Sequence, residues 1–423
     1  MCGICGFYAP ENKSLLRKMT DSLFHRGPDS SGFYSDIHCS LGMRRLSIID
    51  KANGQQPICN ETEDTWIVFN GEIYNYRELK SKLQNHLFKT NSDTEVILHA
   101  YDEYGEFCLT HLNGMFAFAI WDLKNKKLFI ARDRFGEKPL YYTFVGKKLF
   151  FASEIKALLQ NPEIKRNINL FALEDYLSFR CNSNQETFFK GIFKLPPAHY
   201  LIYDGKKCIV KKYWELSVTS NYSLSLETTS NLLFTKLKES VKSRLMSEVP
   251  LGAYLSGGVD SGAIVGLMST LSKEPVKTFT AGFGNEFDEF ESARDISDHF
   301  HTDHQEILIK MDAIDLLPKV VWHLDEPLAD PTCIPIYLLS EKIKPHATVV
   351  LTGDGSDEIF YGYEQHKLLY LYQKYMRKLP LSVRKKLPFL VKMLPKEILK
   401  RFFRYATLLG DKGVERFKTF ISS

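Results

Sequence analysis

The feature that most constrains this chain is a change in its apolar pattern near residue 210. Before that point, short apolar or alternating runs predict strands at Trp66–Phe69, Met115–Trp121, Leu128–Ala131 and Leu149–Ala152. Helices are predicted at Tyr76–Asn85 and Thr94–Tyr104, and Lys124–Lys127 is typical of a hairpin turn. This first part is therefore predicted to form a meandering antiparallel sheet with helices.

The second part begins after a polar stretch, Tyr213–Glu227, which is predicted to be a linker. Beyond it, Leu233, Leu237, Val241 and Leu245 recur every four residues and so share one helix face. Further elements are predicted as strands at Val249–Leu255, Thr278–Phe283 and Thr348–Leu351, a loop at Ser256–Ser261 and a helix at Ala263–Leu271. This order predicts a parallel α/β sheet that binds ligands at the carboxyl ends of its strands.

Composition excludes several protein classes. The 423 residues are 44% hydrophobic and 25% charged, which indicates two or three globular domains. The run Met115–Trp121 is far shorter than the ~20 residues of a membrane span, and Met1–Ile4 lacks the features of a signal peptide. The spacing of the eight cysteines does not suggest a set of disulfides, so reduced thiols and a cytoplasmic location are expected. Cys2 and Cys5 form a Cys-x-x-Cys pair, but no second pair follows at the spacing of a zinc site. A net charge of +4 gives no indication of nucleic-acid binding.

The last stretch, Arg377–Ser423, holds 13 Lys or Arg and 3 acidic residues in a chain whose total charge is +4. A solvated helical surface is the favoured interpretation. Contact with an acidic partner or a membrane surface is the alternative.

Cys2 becomes the first residue if Met1 is removed, which the small cysteine side chain permits. Its thiol then lies beside its own α-amine, whose ordinary pKa of about 7.7–8.0 leaves part of it neutral and basic at physiological pH. Such a thiol can attack a carbonyl while the amine moves the proton. By position alone, a structural cysteine is the better interpretation.

Other residues describe recognition of an amino-acid amide. Asn70 and Gly71 follow a predicted strand, where a side-chain amide and a backbone N–H could meet one oxyanion. The Arg45 guanidinium could hold an α-carboxylate. Asp93 could receive an ammonium group, or it could be the N-cap of the next helix. Together these groups describe glutamine.

The string Ser256-Gly257-Gly258-Val259-Asp260-Ser261 follows a predicted strand and precedes a helix. Two glycines let backbone N–H groups approach a polyphosphate, and a helix N-terminus adds donors. Asp260 could bind Mg²⁺. Since no Gly-Lys-Ser or Gly-Lys-Thr is present, this is not a Walker A loop. An ordinary glycine-rich turn is the alternative.

Five sequence blocks resemble the class II glutamine amidotransferases, and the last resembles the glutamine-hydrolysing asparagine synthetases in particular. They are Met1–Gly6, His25–Asp29, Arg45–Asp50, Asn70–Asn75 and Ala131–Tyr142. The resemblance implies an N-terminal-nucleophile αββα sandwich over residues 2–210, with Cys2 as the nucleophile and Asn70 and Gly71 as the oxyanion hole. It implies that glutamine is held by Arg45, Leu46, Ser47, Ile48, Ile49, Asn70, Gly71, Glu72 and Asp93.

The Ser256–Ser261 string resembles the PP-loop of ATP pyrophosphatases. Asp325-Glu326-Pro327, Asp330-Pro331 and Thr352–Glu358 complete a resemblance to the synthetase domain of asparagine synthetases over residues 228–423. The resemblance implies ATP contacts from Leu255, Ser256, Gly257, Gly258, Asp260, Ser261, Ala281, Thr352 and Gly353. It also implies Mg²⁺ ligands at Asp260 and Asp357, and a role for Asp354 in formation or aminolysis of an acyl-adenylate.

The implied activity is hydrolysis of glutamine to glutamate and ammonia, with ATP-dependent conversion of aspartate to asparagine and release of AMP and pyrophosphate. Two sites in one chain imply a shielded route for ammonia. The expected partners are these small molecules alone, with no nucleic acid and no membrane span. The oligomeric state is left open, with a homodimer among the alternatives.

Three departures from the family pattern leave alternatives open. Asp354 stands where many members have Glu, and Phe360–Tyr363 replaces a common Phe-Gly-Gly-Tyr. The family's later Arg-containing, Pro-Phe-Leu-Asp-like and lysine-bearing segments are not found before Ser423. The synthetase domain is therefore expected to be incomplete, through fragmentation, natural truncation or completion by another chain. For this chain alone, magnesium-dependent ATP binding with little AMP formation is expected.

Two rival functions follow from these departures. One is amidation of another carboxylate, such as a sugar uronic acid or a secondary metabolite. The other is a catalytically incomplete protein that keeps only glutaminase activity or acts by binding.

Overall fold

The computed structural model describes residues 1–182, 185–219, 223–284, 288–309, 314–330 and 332–384. The strands are β1 (Gly3–Tyr8), β2 (Ser30–Ser35), β3 (Cys39–Arg45), β4 (Ile58–Cys59), β5 (Thr65–Ile73), β6 (Gly114–Asp122), β7 (Lys127–Arg132), β8 (Tyr141–Val145), β9 (Lys148–Ala152), β10 (Ile192–Lys194), β11 (His199–Tyr203), β12 (Cys208–Lys212), β13 (Leu251–Tyr254), β14 (Lys277–Gly282), β15 (Asp303–Leu308) and β16 (Val349–Leu351).

The helices are α1 (Lys13–Asp21), α2 (Tyr76–Lys82), α3 (Asp93–Tyr104), α4 (Cys108–His111), α5 (Ile155–Leu158), α6 (Leu170–Phe179), α7 (Leu226–Arg244), α8 (Val259–Leu271), α9 (Phe290–Phe300), α10 (Leu317–Leu324), α11 (Cys333–Ile343), α12 (Ser356–Phe360), α13 (Glu364–Lys374) and α14 (Leu381–Arg384). Short 3-10 helices lie at Gly105–Phe107, Ile314–Leu316 and Met376–Lys378. In the described parts of the chain, no helix is long and apolar enough to cross a membrane. All eight cysteines are free thiols.

Two antiparallel sheets build the first half, in the strand orders β10-β8-β9-β1-β3-β2 and β12-β11-β7-β6-β5-β4. Successive residues of a strand point to opposite faces, and here both faces are apolar. Ile4 and Val68 pack in the core between the two sheets. Their neighbours Cys5 and Phe69 pack on the outer faces, beneath α1 and α5 and beneath α2 and α3 respectively. Both faces of each sheet are thus covered, which gives the αββα sandwich that the resemblance implied.

The strands predicted at residues 115–121, 128–131 and 149–152 are confirmed as parts of β6, β7 and β9, and the hairpin turn joins β6 to β7. One boundary was wrong. The strand predicted at Trp66–Phe69 continues as β5 to Ile73, so Asn70 and Gly71 lie inside a strand. The pairing continues because Gly71 lies opposite Phe116, where a Cβ would come within 2.1 Å of the Met115 carbonyl oxygen.

The second half contains the predicted parallel sheet, with the strand order β15-β14-β13-β16 and parallel pairs β13–β14 and β14–β15. The predicted loop Ser256–Ser261 is shorter than expected, because α8 begins at Val259. The Gly262 N–H closes the first helical turn by donating to the Gly258 carbonyl at 3.1 Å. The described residues divide into two compact units, one within 1–257 and 265–350 and the other within 258–264 and 351–384.

Helix α7 begins inside the predicted linker, where the Ser225 hydroxyl caps it by accepting the Thr228 N–H at 3.1 Å. Its predicted apolar face is only partly buried, since Val241 is buried whereas Leu233 is exposed. The basic stretch from residue 377 lies mostly outside the described residues, which end at residue 384.

Candidate active site

A cavity of about 350 Å³ lies against the start of β1, in the size range of small-molecule sites. Its walls contain Cys2, Arg45, Leu46, Ile48, Ile49, Asn70, Gly71, Glu72 and Asp93, all of which were predicted from the sequence. Ser47 was also predicted but is absent from the walls of this cavity, and its N–H donates to the Asp29 carboxylate at 2.8 Å.

Cys2 is held at the edge of the cavity by two backbone contacts. The Leu46 N–H donates to the Cys2 sulfur at 3.4 Å, and the Arg26 Nε donates to the Cys2 carbonyl at 2.9 Å. Burial is the main cause that raises the pKa of the Cys2 thiol, so the thiol needs a base to react at neutral pH. Burial also lowers the pKa of the Met1 amine to about 5.

Asn70 is 1% exposed, and neither atom of its side-chain amide has a hydrogen bond within the described chain. Leaving both atoms of a buried amide unpaired is costly, so the observation indicates a ligand that completes the bonding. The amide lines the same cavity as Cys2. Its Nδ2 is therefore available to an oxygen bound there.

The direction of the Gly71 N–H follows from its neighbours in β5. The Phe69 N–H donates to Gln56 at 2.7 Å and the Ile73 N–H donates to Asp93 at 2.9 Å. Alternate residues of a strand send their N–H groups to the same edge, so the Gly71 N–H points to that edge as well. Gln56 and Asp93 both line the cavity, which indicates that the Gly71 N–H is directed towards it.

Arg45 reaches the cavity wall, but its guanidinium also bonds the loop that follows its strand. It donates to the carbonyl oxygens of Ile49 at 3.0 Å, Asp50 at 2.7 Å and Lys51 at 3.2 Å. A guanidinium has five N–H groups, so two of them are left for a carboxylate ligand.

Two carboxyl groups, Asp93 and Glu72, lie in the cavity wall and could bind a positively charged group of a ligand. Asp93 is not the N-cap of α3, because the Ser92 hydroxyl accepts the Thr94 N–H at 3.1 Å. Burial raises the pKa of Asp93, and burial followed by repulsion from Asp93 raises the pKa of Glu72. A ligand ammonium would stabilise the ionised form of both groups.

Three further residues build this site without a role in the sequence-based predictions. Arg26 forms an ion pair with Glu154 at 2.8 Å while it holds the Cys2 backbone. Lys138 lines the cavity, and burial lowers its pKa. Arg26 and Lys138 fall inside the sequence blocks that carry the family resemblance, which is a signal that could have identified them. Glu154 has no such signal.

One wall of the cavity comes from the second half of the chain, through Thr348, Val349 and Val350. Thr348 precedes β16, which contains Val349 and Val350 and leads along the chain to the predicted acidic loop at 352–358. The two halves also meet at Glu248, whose carboxylate accepts the N–H groups of Asp50 at 3.0 Å and Lys51 at 3.3 Å.

Asp325 and Glu326, which were expected in the synthetase domain, bond residues of the first half of the chain. Asp325 accepts the Ile155 N–H at 2.6 Å and pairs with Lys156 at 2.9 Å. Glu326 pairs with Lys194 at 2.8 Å and accepts the Phe188 N–H at 2.7 Å. These two carboxylates therefore join α10 to the αββα sandwich.

In the first compact unit, the predicted nucleotide contacts lie at the ends of parallel strands. The Leu255 N–H donates to the Phe279 carbonyl at 2.9 Å, Ser256 follows it, and Ala281 lies in β14. A Cβ on Gly257 would come within 2.4 Å of Ser292. The Gly257 N–H donates to the Glu289 carboxylate at 3.3 Å.

In the second compact unit, the loop at 352–357 meets the first turn of α8. A Cβ on Gly353 would lie 3.0 Å from the Asp260 Cβ and 3.1 Å from the Ser261 N, so only glycine fits there without a shift. A Cβ on Gly362 would lie 1.9 Å from the Asp357 Oδ1. Thr352 donates its hydroxyl to the exposed Asp354 carboxylate at 3.1 Å. The predicted ligands Gly258, Asp260, Ser261, Thr352, Gly353 and Asp357 therefore belong to one unit.

Comparison with known proteins gives two family matches. The glutamine amidotransferase domain family matches residues 1–214, and the asparagine synthase family matches residues 233–419. Asparagine synthetase [glutamine-hydrolyzing] 1 of Bacillus subtilis is 36% identical over 100% of this chain and 68% of its own length. A putative asparagine synthetase [glutamine-hydrolyzing] 2 of Methanocaldococcus jannaschii is 38% identical over 91% of this chain and 79% of its own length. The amidase chry2 of Gibberella zeae is 34% identical over 86% and 60%.

Proposed function

The chain belongs to the glutamine-hydrolysing asparagine synthetases, and from that premise we propose that it hydrolyses glutamine at Cys2 and transfers the ammonia to aspartate. ATP activates the aspartate, and the products are asparagine, glutamate, AMP and pyrophosphate. The observation that carries the proposal is the buried, unpaired Asn70 amide in one cavity with Cys2.

The first half-reaction follows from the groups in that cavity. After removal of Met1, the α-amine of Cys2 takes the thiol proton, and the thiolate attacks the side-chain carbonyl of glutamine. Asn70 Nδ2 and the Gly71 N–H stabilise the oxyanion that forms. The amine returns the proton to the leaving nitrogen, ammonia departs, and water hydrolyses the thioester to glutamate.

The rest of the cavity orients the substrate. The two remaining N–H groups of Arg45 bind the α-carboxylate, and Asp93 with Glu72 binds the α-ammonium. Leu46, Ile48 and Ile49 line the wall beside the side chain. Ser47 supports this wall through its backbone bond to Asp29 rather than by contact with glutamine.

Ammonia must reach the second half-reaction without protonation in bulk water. Thr348, Val349 and Val350 form a wall of the Cys2 cavity, and two of the three side chains are apolar. We assign the start of the shielded route to this wall. An apolar lining favours neutral ammonia over ammonium, because burial disfavours the charged form.

The second half-reaction activates the acceptor. A carboxylate oxygen attacks the α-phosphorus of ATP, pyrophosphate leaves, ammonia attacks the acyl carbon, and AMP leaves. The carboxylates of Asp260 and Asp357 suit Mg²⁺, which prefers carboxylate and phosphate oxygens, and both belong to the unit where Gly353 and Gly362 allow close packing. When bound there, Mg²⁺ supplies charge neutralisation for the pyrophosphate.

A second acceptor is favoured by one observation. Asp354 replaces the Glu of many family members, so its carboxylate is one methylene shorter, and in the structure it is exposed and bonded to Thr352. A shorter carboxylate leaves room for a different carboxylic acid. Amidation of a sugar acid or a secondary metabolite is therefore the second candidate.

One experiment tests both candidates. The purified chain is incubated with Mg²⁺, ATP, glutamine labelled with ¹⁵N in its amide, and a panel of carboxylic acids, and mass spectrometry follows AMP and the labelled amide. Labelled asparagine with aspartate as the preferred acid supports the proposal. A labelled amide of another acid supports the second candidate. Release of ¹⁵N-ammonia without any amide or AMP contradicts both candidates and matches a chain that keeps only glutaminase activity, and no glutamine hydrolysis at all contradicts all three.

A further inference from the structure

Two histidines and two carboxylates come together away from the Cys2 cavity. Glu61, His86, His99 and Asp102 each place one ligand atom within 4.8 Å of those of the other three, and none of the four lines the Cys2 cavity. We propose that this group, called the His86–His99 cluster, binds one divalent first-row transition-metal ion, with Zn²⁺ as the best match. Two imidazoles and two carboxylates form a common ligand set for zinc.

The spacing of the ligand atoms fits one ion. His86 Nδ1 lies 2.9 Å from Glu61 Oε1, His99 Nδ1 lies 3.2 Å from Glu61 Oε2, and His99 Nδ1 lies 4.0 Å from Asp102 Oδ2. Tetrahedral zinc with bonds of about 2.0–2.2 Å has ligand atoms about 3.3–3.5 Å apart. The three distances lie on both sides of that spacing, and separations of up to 4.8 Å within the cluster would have to shorten to it when an ion binds.

The outer nitrogens of both histidines face further carboxylates. His86 Nε2 lies 3.5 Å from Glu103, and His99 Nε2 lies 3.6 Å from Glu95. Metal-binding histidines direct one nitrogen to the ion and donate the other N–H to a carboxylate, which fixes the tautomer. Both rings therefore have the orientation that this arrangement requires, with Nδ1 towards the centre.

His99 supplies an independent sign of a ligand. It is 0% exposed, and neither of its ring nitrogens has a hydrogen bond within the described chain. Among the described residues, no lysine or arginine lies within 4.0 Å of Glu61, Glu95 or Asp102, so the neighbouring charge is negative. A buried imidazole without a hydrogen bond, beside carboxylates that have no lysine or arginine partner in the described chain, is the arrangement that a bound cation completes.

An ion can reach the cluster, and its binding would join separate segments. A cavity of about 640 Å³ is lined by Glu61, His86 and Asp102, which provides an entry path. Glu61 follows β4, His86 lies between α2 and α3, and His99 and Asp102 share one face of α3. The ion would fasten α3, the helix whose first residue is Asp93.

Metal uptake is measured on the full chain without any catalytic assay, so the result does not depend on the proposed function. The chain is stripped with a chelator and titrated with zinc chloride by calorimetry and with cobalt chloride by visible absorption. We expect one ion per chain, d–d bands of tetrahedral cobalt, no thiolate-to-cobalt charge-transfer band, and a higher melting temperature with zinc. Absence of stoichiometric uptake overturns the proposal, as does cobalt bound through thiolates.

Three variants assign the site. His86→Gln and Glu61→Gln remove ligands that are partly exposed, and each should weaken zinc binding by more than ~10-fold. His111→Gln, an exposed histidine of α4, is the matched control and should bind zinc as the parent does. Melting curves of the stripped variants show whether each one folds. Folded His86→Gln that binds zinc with the parent's affinity contradicts the proposal. A stripped parent chain that takes up no zinc contradicts it as well, because its histidines would then pair with the carboxylates without a metal.

Discussion

The Cys2 cavity and the predicted nucleotide-binding loops differ in how their polar groups are satisfied. In the cavity, the Asn70 amide is buried and has no hydrogen bond within the described chain. In the loops, the polar groups bond their own neighbours: the Gly257 N–H donates to Glu289, and the Thr352 hydroxyl donates to an exposed Asp354.

This difference indicates that the two regions hold their hydrogen-bond donors in different states before a ligand binds. Donors that are fixed and unpaired before the substrate arrives need no reorganisation during the reaction, so their loss should reduce turnover. Donors that are engaged by carboxylates must be released by the ligand, so changes there should act mainly on binding. The predictions below test this contrast.

The largest effect is expected at the nucleophile. Cys2→Ala should reduce glutamate release from glutamine to background, because no other thiol lines the cavity in the described chain. Ammonia-driven amide synthesis, where the chain performs it, should remain. Cys5→Ala is the matched control, since Cys5 lies three residues away but is buried in the core beneath α1. Equal glutaminase activity in Cys2→Ala and the parent would exclude Cys2.

The second effect tests the unpaired amide. Asn70→Ala should lower kcat for glutamine hydrolysis by about 10²–10³-fold with a smaller change in KM, because the lost donor acts on charge that develops in the transition state. Steady-state glutaminase kinetics measure both constants. Asn161→Ala is the control, because the Asn161 Nδ2 is also buried and unpaired but lies outside the cavity. A change in KM alone would make Asn70 a ground-state contact.

Cys2 and Asn70 could be predicted from the sequence because each lies in a short local motif. Cys2 stands at the chain start, and Asn70 and Gly71 are adjacent, so a short motif contains them. The structure brings them into one cavity, and their roles stay predictions. By contrast, Arg26 reaches Glu154 across 128 positions, and no local pattern specifies such a pair. The same holds for the His86–His99 cluster, whose members come from three segments.

The fold, like the site, could be predicted from the sequence only where the signal is local. Strand existence was predictable in β6, β7 and β9, since buried strands carry continuous apolar runs. The apolar period of α7 was visible too, but it did not show that Leu233 would be exposed, because packing is present only near the C-terminal end of that helix. The αββα pairing came from the resemblance, since neither strand order nor sheet stacking is encoded in a local period.

The third effect concerns the second region of the comparison. Asp260→Asn should weaken magnesium-dependent ATP binding by about 10- to 100-fold, the equivalent of a charge-assisted contact of about 1.5–3 kcal/mol. Calorimetry with and without Mg²⁺ measures it. Glu358→Gln is the control, because Glu358 is exposed and bonds the Tyr363 hydroxyl within the same unit. Glutaminase turnover should be unchanged in both variants. A loss of ATP affinity that is the same without Mg²⁺ would show that Asp260 does not act through the metal.

The smallest effect is expected where the two halves meet. A series of bonds leads from the Cys2 carbonyl to Arg26 at 2.9 Å, from Arg26 to Glu154 at 2.8 Å, and through Lys156 to Asp325 at 2.9 Å. Burial opposes ionisation of Glu154, but its bond to His25 and the charges of Arg26 and Lys156 outweigh burial and lower its pKa to about 2. The Arg26–Glu154 pair therefore stays ionised at physiological pH, and its contribution is lost as the pH falls from about 4.5 towards 2. Burial raises the pKa of Asp325, so the Lys156–Asp325 end of the series is lost earlier on acidification.

Asp325→Asn keeps an oxygen that can accept the Ile155 N–H but removes the charge that pairs with Lys156. Because Glu154 still compensates Lys156, the free energy of unfolding should fall by only about 1–3 kcal/mol. The Cys2 cavity remains intact, so glutamine hydrolysis should change no more than a few-fold, whereas the ratio of glutamate to amide product should rise if α10 aligns the two halves. Asp330→Asn is the control, because Asp330 is an exposed acid of the next loop whose carboxylate bonds Thr332, and it should leave the ratio unchanged. Denaturant unfolding and product ratios from one reaction measure both quantities. A stability loss with an unchanged ratio would show that Asp325 holds the halves together without coupling them.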